Sequence, residues 1–311
     1  MLSRELVCVV YHDISDEPGP YLQHLNISTK THIFQNHLRY FKKNYNVVDV
    51  EAVLSGKLPD RSLLITFDDS FRSTLEIAAP LMKENSLPGA VFLNPAMVTE
   101  KGFCIDNLLS FYACSRGIRA LSELTEGATA ESMTVTEFIS RHVSQMSIAE
   151  RKALKHRILQ RLSCREEELW DESSLYLRTE DIKAFKHYGL EVGNHTTNHV
   201  YCRNLRDEEA KVEIRQSKEI LEELSGAPIR AFAFPYGNKL DATRAILKEI
   251  RQSGHTLIFL VHARSNWKRP SRDMWYRVSL TNENTRRLLP KLRILPKIRS
   301  GLFPRNDTKF D

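Results

Sequence analysis

The hydrophobic and polar positions of this chain alternate between short apolar runs and longer amphipathic stretches. Short apolar runs are typical of buried strands, whereas apolar residues spaced three and four apart indicate helices. The pattern predicts strands at Leu6 to Tyr11, Val47 to Val50, Leu63 to Phe67, Ala90 to Leu93, Leu190 to Gly193, Ile229 to Phe234, Thr256 to Val261 and Tyr276 to Leu280. Helices are predicted after most strands, for example at Thr31 to Asn44, Thr74 to Asn85 and Asp207 to Ser225. Seven or eight such units predict an α/β fold, a barrel of parallel strands.

One long segment, from about Lys101 to Ser174, interrupts this alternation. Its pattern is helical at Ile105 to Cys114, Val135 to Met146 and Ile148 to Leu162, and it contains no clear strand. We therefore predict a helical insertion at about 101–174 between two barrel strands, within one domain that spans residues 1–285.

The composition is that of an ordinary globular protein, with 41% hydrophobic and 27% charged residues in 311. The five cysteines are scattered without a C-x-x-C pair, so neither a disulfide framework nor a thiolate zinc site is expected. We see no signal-peptide pattern at Met1 and no apolar run of membrane-spanning length. These features predict a cytoplasmic protein.

The net charge of +6 is concentrated in a C-terminal tail, residues 286–311, where eight Lys and Arg face two Asp. Leu and Ile residues lie between these charges, a composition that suits peripheral contact with the anionic inner face of a membrane. The alternative is a helix that packs its apolar residues against the domain, and Pro290 and Pro296 break any single long amphipathic helix. Nucleic-acid binding is not expected from this tail alone.

Two adjacent carboxylates, Asp68 and Asp69, end the apolar run Leu63 to Phe67. Neighbouring side chains at a strand end point to opposite sides, so one carboxylate can bind a metal while the other accepts a proton. The alternative is that the pair caps the helix that follows.

A second polar segment, His195 to His199, follows the strand Leu190 to Gly193. Two imidazoles four residues apart can bind one ion, and with one Asp they supply three ligands, as in catalytic zinc sites. The same donors also form the site of non-haem iron oxygenases, so that chemistry stays open. Both segments lie at the carboxyl ends of predicted strands, where α/β folds place their active sites.

Three segments in this order, Thr66 to Asp69, His195 to His199 and Phe232 to Gly237, resemble the motifs of the polysaccharide deacetylases. This family is also called the NodB-homology or carbohydrate esterase family 4 enzymes, and the resemblance covers most of Leu6 to Leu280 outside the insertion. It implies a distorted (β/α) barrel of about seven strands. It also implies a divalent metal, commonly zinc, held by Asp69, His195 and His199, with Asp68 as the catalytic base.

The general acid and the oxyanion donor follow from the same resemblance. The segment Val9 to Asp13 resembles the permuted subgroup that deacetylates poly-N-acetylglucosamine, in which the acid histidine precedes the Asp-Asp motif. His12 is therefore the favoured acid and His262 the alternative. The backbone N–H of Tyr236 is the expected oxyanion donor.

The chain departs from the family motifs at three positions. Ser70 replaces the usual Gly, and Val200 replaces the usual Pro. Ala233 stands where many members carry an arginine that orients the base, and Arg230 or Arg72 is a candidate to replace it. Four further residues are candidates to line a sugar site: Asn94, Asn266, Trp267 and Trp275.

The predicted function is metal-dependent hydrolysis of an N-acyl group, the acetyl group above all, from an amino sugar. The expected substrate is an N-acylated saccharide, either lipid-linked or nucleotide-linked, or a surface-polysaccharide precursor such as O-antigen or capsule. A catalytically silent glycan-binding module is the alternative from a different class.

Overall fold

The computed structural model describes residues 6–125, 133–262, 266 and 271–294. Its ten strands are β1 (Leu6–Tyr11), β2 (Asp13–Ile14), β3 (Ser28–Thr29), β4 (Asn46–Val47), β5 (Ser62–Phe67), β6 (Gly89–Leu93), β7 (Leu190–Asn194), β8 (Ala231–Ala233), β9 (Leu257–Val261) and β10 (Met274–Ser279).

Seven parallel strands close into a barrel. The order around the barrel is β1, β5, β6, β7, β8, β9 and β10, and β1 closes the ring because it pairs with both β5 and β10. The two-residue strand β4 adds to β5 outside this ring, while β2 and β3 form a separate small pair. The predicted distorted (β/α) barrel of about seven strands is confirmed.

The described ranges contain twelve α-helices. They are α1 (Thr31–Asn44), α2 (Val50–Ser55), α3 (Ala79–Glu84), α4 (Pro95–Thr99), α5 (Ile105–Arg116), α6 (Val135–Arg141), α7 (Ile148–Leu162), α8 (Glu166–Ser173), α9 (Asp207–Ala210), α10 (Ser217–Ser225), α11 (Arg244–Gln252) and α12 (Thr285–Leu289). Wider π-helical turns precede α3 at Thr74–Ala78 and join α9 to α10 at Lys211–Gln216. The two corresponding helices predicted as continuous therefore change their winding along their length.

The strands are apolar on both faces because each face packs against a different layer. Side chains such as Cys8, Leu64 and Phe259 form one cluster inside the barrel, which Trp275 completes. The alternate side chains, such as Val9 and Ile65, pack against the outer helices. Burial on both faces explains why the strands appear as nearly continuous apolar runs in the sequence.

Helices α4 to α8 lie between β6 and β7, where the helical insertion was predicted. They build a core of their own from residues such as Leu108, Phe138 and Ile158. Tyr21 and Leu25, from the loop between β2 and β3, pack into the same core. The insertion is therefore anchored to the rim of the barrel at which the parallel strands end.

The described part of the C-terminal tail packs partly against the barrel. Leu288 and Leu292 join the core beneath the outer helices, while Leu289 and Ile294 are exposed. Residues 295–311 lie outside the described residues, so membrane contact through the tail stays a prediction. No helix in the part of the chain that the structure describes combines the length and apolarity needed to cross a membrane.

A buried histidine supports the strand that leads into the His195 segment. The Asn194 Nδ2 group donates to His255 Nε2 (3.2 Å), while Asn194 Oδ1 accepts from the Thr196 N–H and the Ser217 hydroxyl. Burial lowers the pKa of His255 to about 4. This imidazole is therefore neutral at neutral pH and accepts the Asn194 hydrogen bond.

We predict that His255→Gln makes the fold less sensitive to acid. The unfolded chain protonates this histidine near pH 6.5, whereas the folded chain does so only near pH 4. The contribution of the neutral imidazole to the free energy of unfolding is therefore complete above pH 6.5 and is lost as the pH falls toward about 4. The two pKa values correspond to a contribution on the order of 3 kcal/mol. Denaturant unfolding between pH 7 and 4.5 should show a smaller loss of stability in this variant. The exposed His156→Gln is the control, and equal pH slopes in all three proteins would contradict the prediction.

Candidate metal and catalytic centre

Three predicted metal ligands meet at the carboxyl ends of β5 and β7. Asp69 Oδ1 lies 3.3 Å from His195 Nε2 and 3.2 Å from His199 Nε2. One donor atom from each of the three residues lies within 4.8 Å of the others. The structure thus brings together Asp69, His195 and His199, the three residues that the family resemblance implies as metal ligands.

This donor set fits a divalent cation. Two imidazole nitrogens and one carboxylate oxygen are the ligands that catalytic zinc sites use, with a further position left open. Asp69 Oδ1 is buried and faces the Nε2 atoms of His195 and His199. A cation at this point would compensate a carboxylate oxygen that otherwise has only imidazole nitrogens facing it.

The backbone at and beside these ligands is in the left-handed conformation. Asp69 and Ser70 have φ values of 76° and 60°, and Thr196 and His199 have 63° and 51°. Such conformations are strained for residues with a side chain. The family motif that this segment resembles has a glycine at the Ser70 position, and a positive φ is a conformation that glycine adopts without strain. In this chain the serine side chain makes a contact that glycine cannot make, because the Ser70 hydroxyl accepts a hydrogen bond from the Asn94 N–H (2.8 Å).

Each histidine directs Nε2 toward Asp69 because Nδ1 is engaged elsewhere. His195 Nδ1 donates to the Ala233 carbonyl (2.8 Å), and His199 Nδ1 lies 3.3 Å from Cys104 Sγ. A hydrogen bond from one ring nitrogen fixes the tautomer and leaves the other nitrogen free to bind a metal. The His195 ring is therefore preorganised for ligation, and the His199 ring has the matching orientation with Nε2 toward Asp69.

The close approach of Asp69, His195 and His199 shifts the pKa values of Asp69 and His199. Burial raises the pKa of Asp69, but His199 and His195 outweigh it and hold the pKa well below its usual range. For His199, burial lowers the pKa, yet Cys104 and Asp69 together raise it well above its ordinary value. The Asp69 side chain is therefore a carboxylate anion at neutral pH.

The expected base, Asp68, is held by an arginine that the sequence did not identify. Arg277 on β10 donates Nη1 to Asp68 Oδ1 and Nη2 to Asp68 Oδ2, each at 2.7 Å, and Nη1 also reaches Thr66 Oγ1 (3.1 Å). Both side chains are buried inside the barrel rim. The guanidinium also lies over the ring of Phe92, 5.1 Å from its centroid. The bidentate pair fixes the orientation of the Asp68 carboxylate.

The two arginines suggested for this role lie elsewhere, and that expectation is wrong. Arg230 pairs with Glu51 (2.8 Å), and Arg72 pairs with Glu76 (2.6 Å). The available signal for Arg277 was its position, a charged residue within an apolar strand whose alternation points it into the barrel.

The two candidate acids, His12 and His262, lie in different surroundings. His12 lines the same cavity as Asp68, Asp69 and His195, and its Nδ1 is buried with no hydrogen-bond partner among the described residues. Burial lowers its pKa, an effect that the Asp69 and Asp68 carboxylates oppose. His262 is exposed and contacts the Tyr276 ring instead.

The Tyr236 loop forms another wall of the cavity. Tyr236 has a φ of 59°, and its ring stacks on Tyr201 with centroids 3.7 Å apart. Its hydroxyl donates to Asp106 Oδ1 (3.1 Å) and accepts from Arg151 Nη2 (3.2 Å). These contacts with the insertion fix the loop whose backbone N–H the family resemblance assigns to the oxyanion.

These groups surround a cavity of about 420 Å³. Its walls combine the polar residues above with Leu25, Ile27 and Phe71, and with Ile139 of the insertion. Apolar walls around a few convergent polar groups are typical of sites for small organic ligands.

Three of the four residues suggested for a sugar site are structural instead. Asn94 donates to the backbone carbonyls of His195 and Thr196, and Asn266 bonds the backbone of Leu6 and Tyr276. Trp275 lies in the barrel interior. The fourth, Trp267, lies outside the described residues.

Comparisons with known proteins agree with this geometry. The family model described as polysaccharide deacetylase matches residues 55–256. No curated protein sequence matches the chain. Among solved structures, the chain is similar to the Streptococcus pyogenes deacetylase PplD in complex with acetate, with a TM-score of 0.60, 16% identity, and 93% of this chain and 98% of that chain covered.

Two further solved structures share the fold. IcaB from Ammonifex degensii has a TM-score of 0.58 at 19% identity, with 93% of this chain and 97% of that chain covered. A de-N-acetylase from Aggregatibacter actinomycetemcomitans has a TM-score of 0.56 at 13% identity, with coverage of 90% and 96%. At these identities the likeness supports the barrel architecture alone.

We predict that the Asp68–Arg277 pair is strongly coupled in stability. Arg277→Met leaves a carboxylate buried without its partner, which typically costs about 3–5 kcal/mol. Asp68→Asn combined with Arg277→Met removes both charges and should cost much less than the two single changes together. Denaturant unfolding of the four proteins measures this, with Arg277→Lys as a milder variant if Arg277→Met does not fold. Additive effects would contradict the prediction.

Proposed function

The chain belongs to the polysaccharide deacetylase family, and from this membership we propose that it removes the N-acetyl group of an amino sugar by metal-dependent hydrolysis. The family membership supports a deacetylase that acts on a saccharide. The observation that carries the metal-dependent mechanism is the convergence of Asp69, His195 and His199 beside Asp68 and His12 in one cavity.

Zinc is the proposed ion, held by Asp69, His195 and His199. When bound, such an ion polarises an acyl oxygen and brings the pKa of bound water toward about 7. The amide is a poor electrophile, so its hydrolysis needs both effects. The Asp69 carboxylate and the two imidazoles would hold the ion in the cavity that Asp68 and His12 also line.

Asp68 would accept the proton of the attacking water. Asp68 is suited to this role because Arg277 donates to both of its oxygens and so fixes the orientation of the carboxylate. Asp68 is not among the three residues proposed to hold the ion. The two adjacent aspartates thereby have different environments and different tasks, as catalytic carboxylate pairs require.

His12 would protonate the departing amine, and the Tyr236 N–H would stabilise the oxyanion. The position of His12 in the cavity supports the first assignment, and the left-handed Tyr236 turn, fixed by Arg151 and Asp106, supports the second. A preorganised donor of this kind is most effective where water is excluded.

We propose a lipid-linked or nucleotide-linked saccharide, such as an O-antigen or capsule precursor, as the substrate in the cytoplasm or at the inner membrane face. The cavity has the size of a small-ligand site. The start of the tail places Arg286 and Arg287 near exposed Leu289 and Ile294, a combination that suits an anionic membrane surface.

The two alternatives receive less support. A silent glycan-binding module has no need for a base whose two oxygens are both fixed by a buried arginine. A non-haem iron oxygenase would use the same three ligands but has no evident use for Asp68 and His12 beside them.

We predict that Asp68→Asn and His12→Ala each lower acetate release by about 10²–10⁴-fold, the usual contribution of a general base or acid. The assay compares a free N-acetylated oligosaccharide, a sugar nucleotide and a lipid-linked sugar, each with stoichiometric zinc. Removal of zinc by a chelator should abolish release, and its return should restore it.

His262→Ala is the matched control and should retain full activity. Full activity in His12→Ala with loss in His262→Ala would reverse the assignment of the acid. Oxygen consumption with Fe(II), without acetate release, would support the oxygenase instead.

A further inference from the structure

The two nitrogens of the His199 ring face different parts of the molecule. Nε2 faces Asp69, whereas Nδ1 faces Cys104 Sγ at 3.3 Å. The sulfur therefore lies on the side of the ring opposite to the proposed ion. Cys104 lines the cavity, but its position makes it a neighbour of a ligand and not a member of the Asp69, His195 and His199 set.

The insertion fixes the position of this sulfur. Cys104 directly precedes α5, and its backbone N–H donates to the Tyr176 hydroxyl (3.1 Å), which in turn donates to Asn107 Oδ1 (2.5 Å). The residue before it is held as well, since the Phe103 N–H donates to Glu166 Oε1 (2.6 Å). Cys104 is 6% exposed. The thiol is therefore a rigid, buried partner and not a mobile surface group.

The Nδ1 atoms of the two proposed histidine ligands have different partners. A metal bound at Nε2 requires the proton on Nδ1, and that proton needs an acceptor. His195 uses the Ala233 carbonyl of the barrel (2.8 Å), whereas His199 has the Cys104 side chain of the insertion. Arg151, also in the insertion, donates to the His199 carbonyl (2.9 Å). The insertion thus contacts this ligand through both its ring and its backbone.

We propose that Cys104 is a positioning residue that holds His199 in the tautomer and orientation needed to bind the metal. This inference rests on the proposed metal site. The Cys104 sulfur accepts the Nδ1 proton, so the Nε2 lone pair points at the ion. The helical insertion thereby contributes to metal affinity without supplying a ligand.

A second cation held by Cys104, Asp106 and His199 Nδ1 is the competing assignment, since their donor atoms also lie within 4.8 Å. Two features oppose it. Asp106 Oδ1 already accepts from the Tyr236 hydroxyl, to which the Arg151 guanidinium donates, so a cationic group is close by. Moreover, an ion at Nδ1 would displace the proton that the Nε2-ligating tautomer carries.

The test measures zinc affinity by chelator competition in the full chain. Cys104→Ala should weaken zinc binding by about 10–100-fold, the usual effect of losing a partner of a metal-ligating histidine. Cys104→Ser should recover most of this loss, because a hydroxyl also accepts the Nδ1 proton. Cys8→Ala, which removes a buried thiol inside the barrel, is the matched control and should bind zinc as the unmodified chain does.

Cobalt(II) distinguishes a positioning residue from a ligand. We expect one cobalt per chain and no thiolate-to-cobalt charge-transfer absorption, with the same spectrum in Cys104→Ser. A charge-transfer band that is lost in Cys104→Ser would overturn the proposal in favour of direct ligation. Unchanged zinc affinity in Cys104→Ala would overturn it as well, and Cys104→Ser serves if Cys104→Ala does not fold. Failure of the unmodified chain to bind zinc would instead contradict the proposed function.

Discussion

Two adjacent carboxylates at the end of one barrel strand are largely shielded from water, so each needs its own positive partner. A buried carboxylate without such a partner is strongly destabilising. Asp68 meets this requirement within the barrel through the bidentate contact with Arg277. Asp69 faces His195 and His199, and a metal ion bound by all three residues would balance the negative charge of the Asp69 carboxylate. This division of partners gives two neighbouring residues of the same type different electrostatic environments.

The barrel and the insertion share the work of holding these groups. Parallel strands bring Asp69 and His195 to one rim, and the register of β10 beside β1 places Arg277 beneath Asp68. The insertion then contacts the loops that the strands do not fix. Cys104 and Arg151 hold His199, and Arg151 also holds the Tyr236 hydroxyl. The segment that interrupts the βα alternation therefore contacts residues of the candidate site directly.

The sequence predicts those features that depend on local pattern. The strand Leu6–Tyr11 and the helices Thr31–Asn44 and Ile148–Leu162 have the bounds that periodicity predicts. Asp69, His195 and His199 were predicted to lie together because each belongs to a short motif at a strand end, and their donor atoms do lie together.

Contacts between distant residues were not predictable in the same way. Arg277 is 209 residues from Asp68, and Cys104 is 95 residues from His199, so only strand register and the packing of the insertion bring them together. The π-helical turns at Thr74–Ala78 and Lys211–Gln216 are likewise invisible in periodicity, because one wider turn shifts the pattern only slightly.

The most direct test of a metal-dependent deacetylase is anomalous X-ray diffraction at the zinc edge from crystals of the zinc-loaded protein. We expect one strong peak among Asp69 Oδ1, His195 Nε2 and His199 Nε2, with Arg277 still bound to Asp68. A peak beside Cys104 and His199 Nδ1, or no ordered zinc at either position, would contradict it.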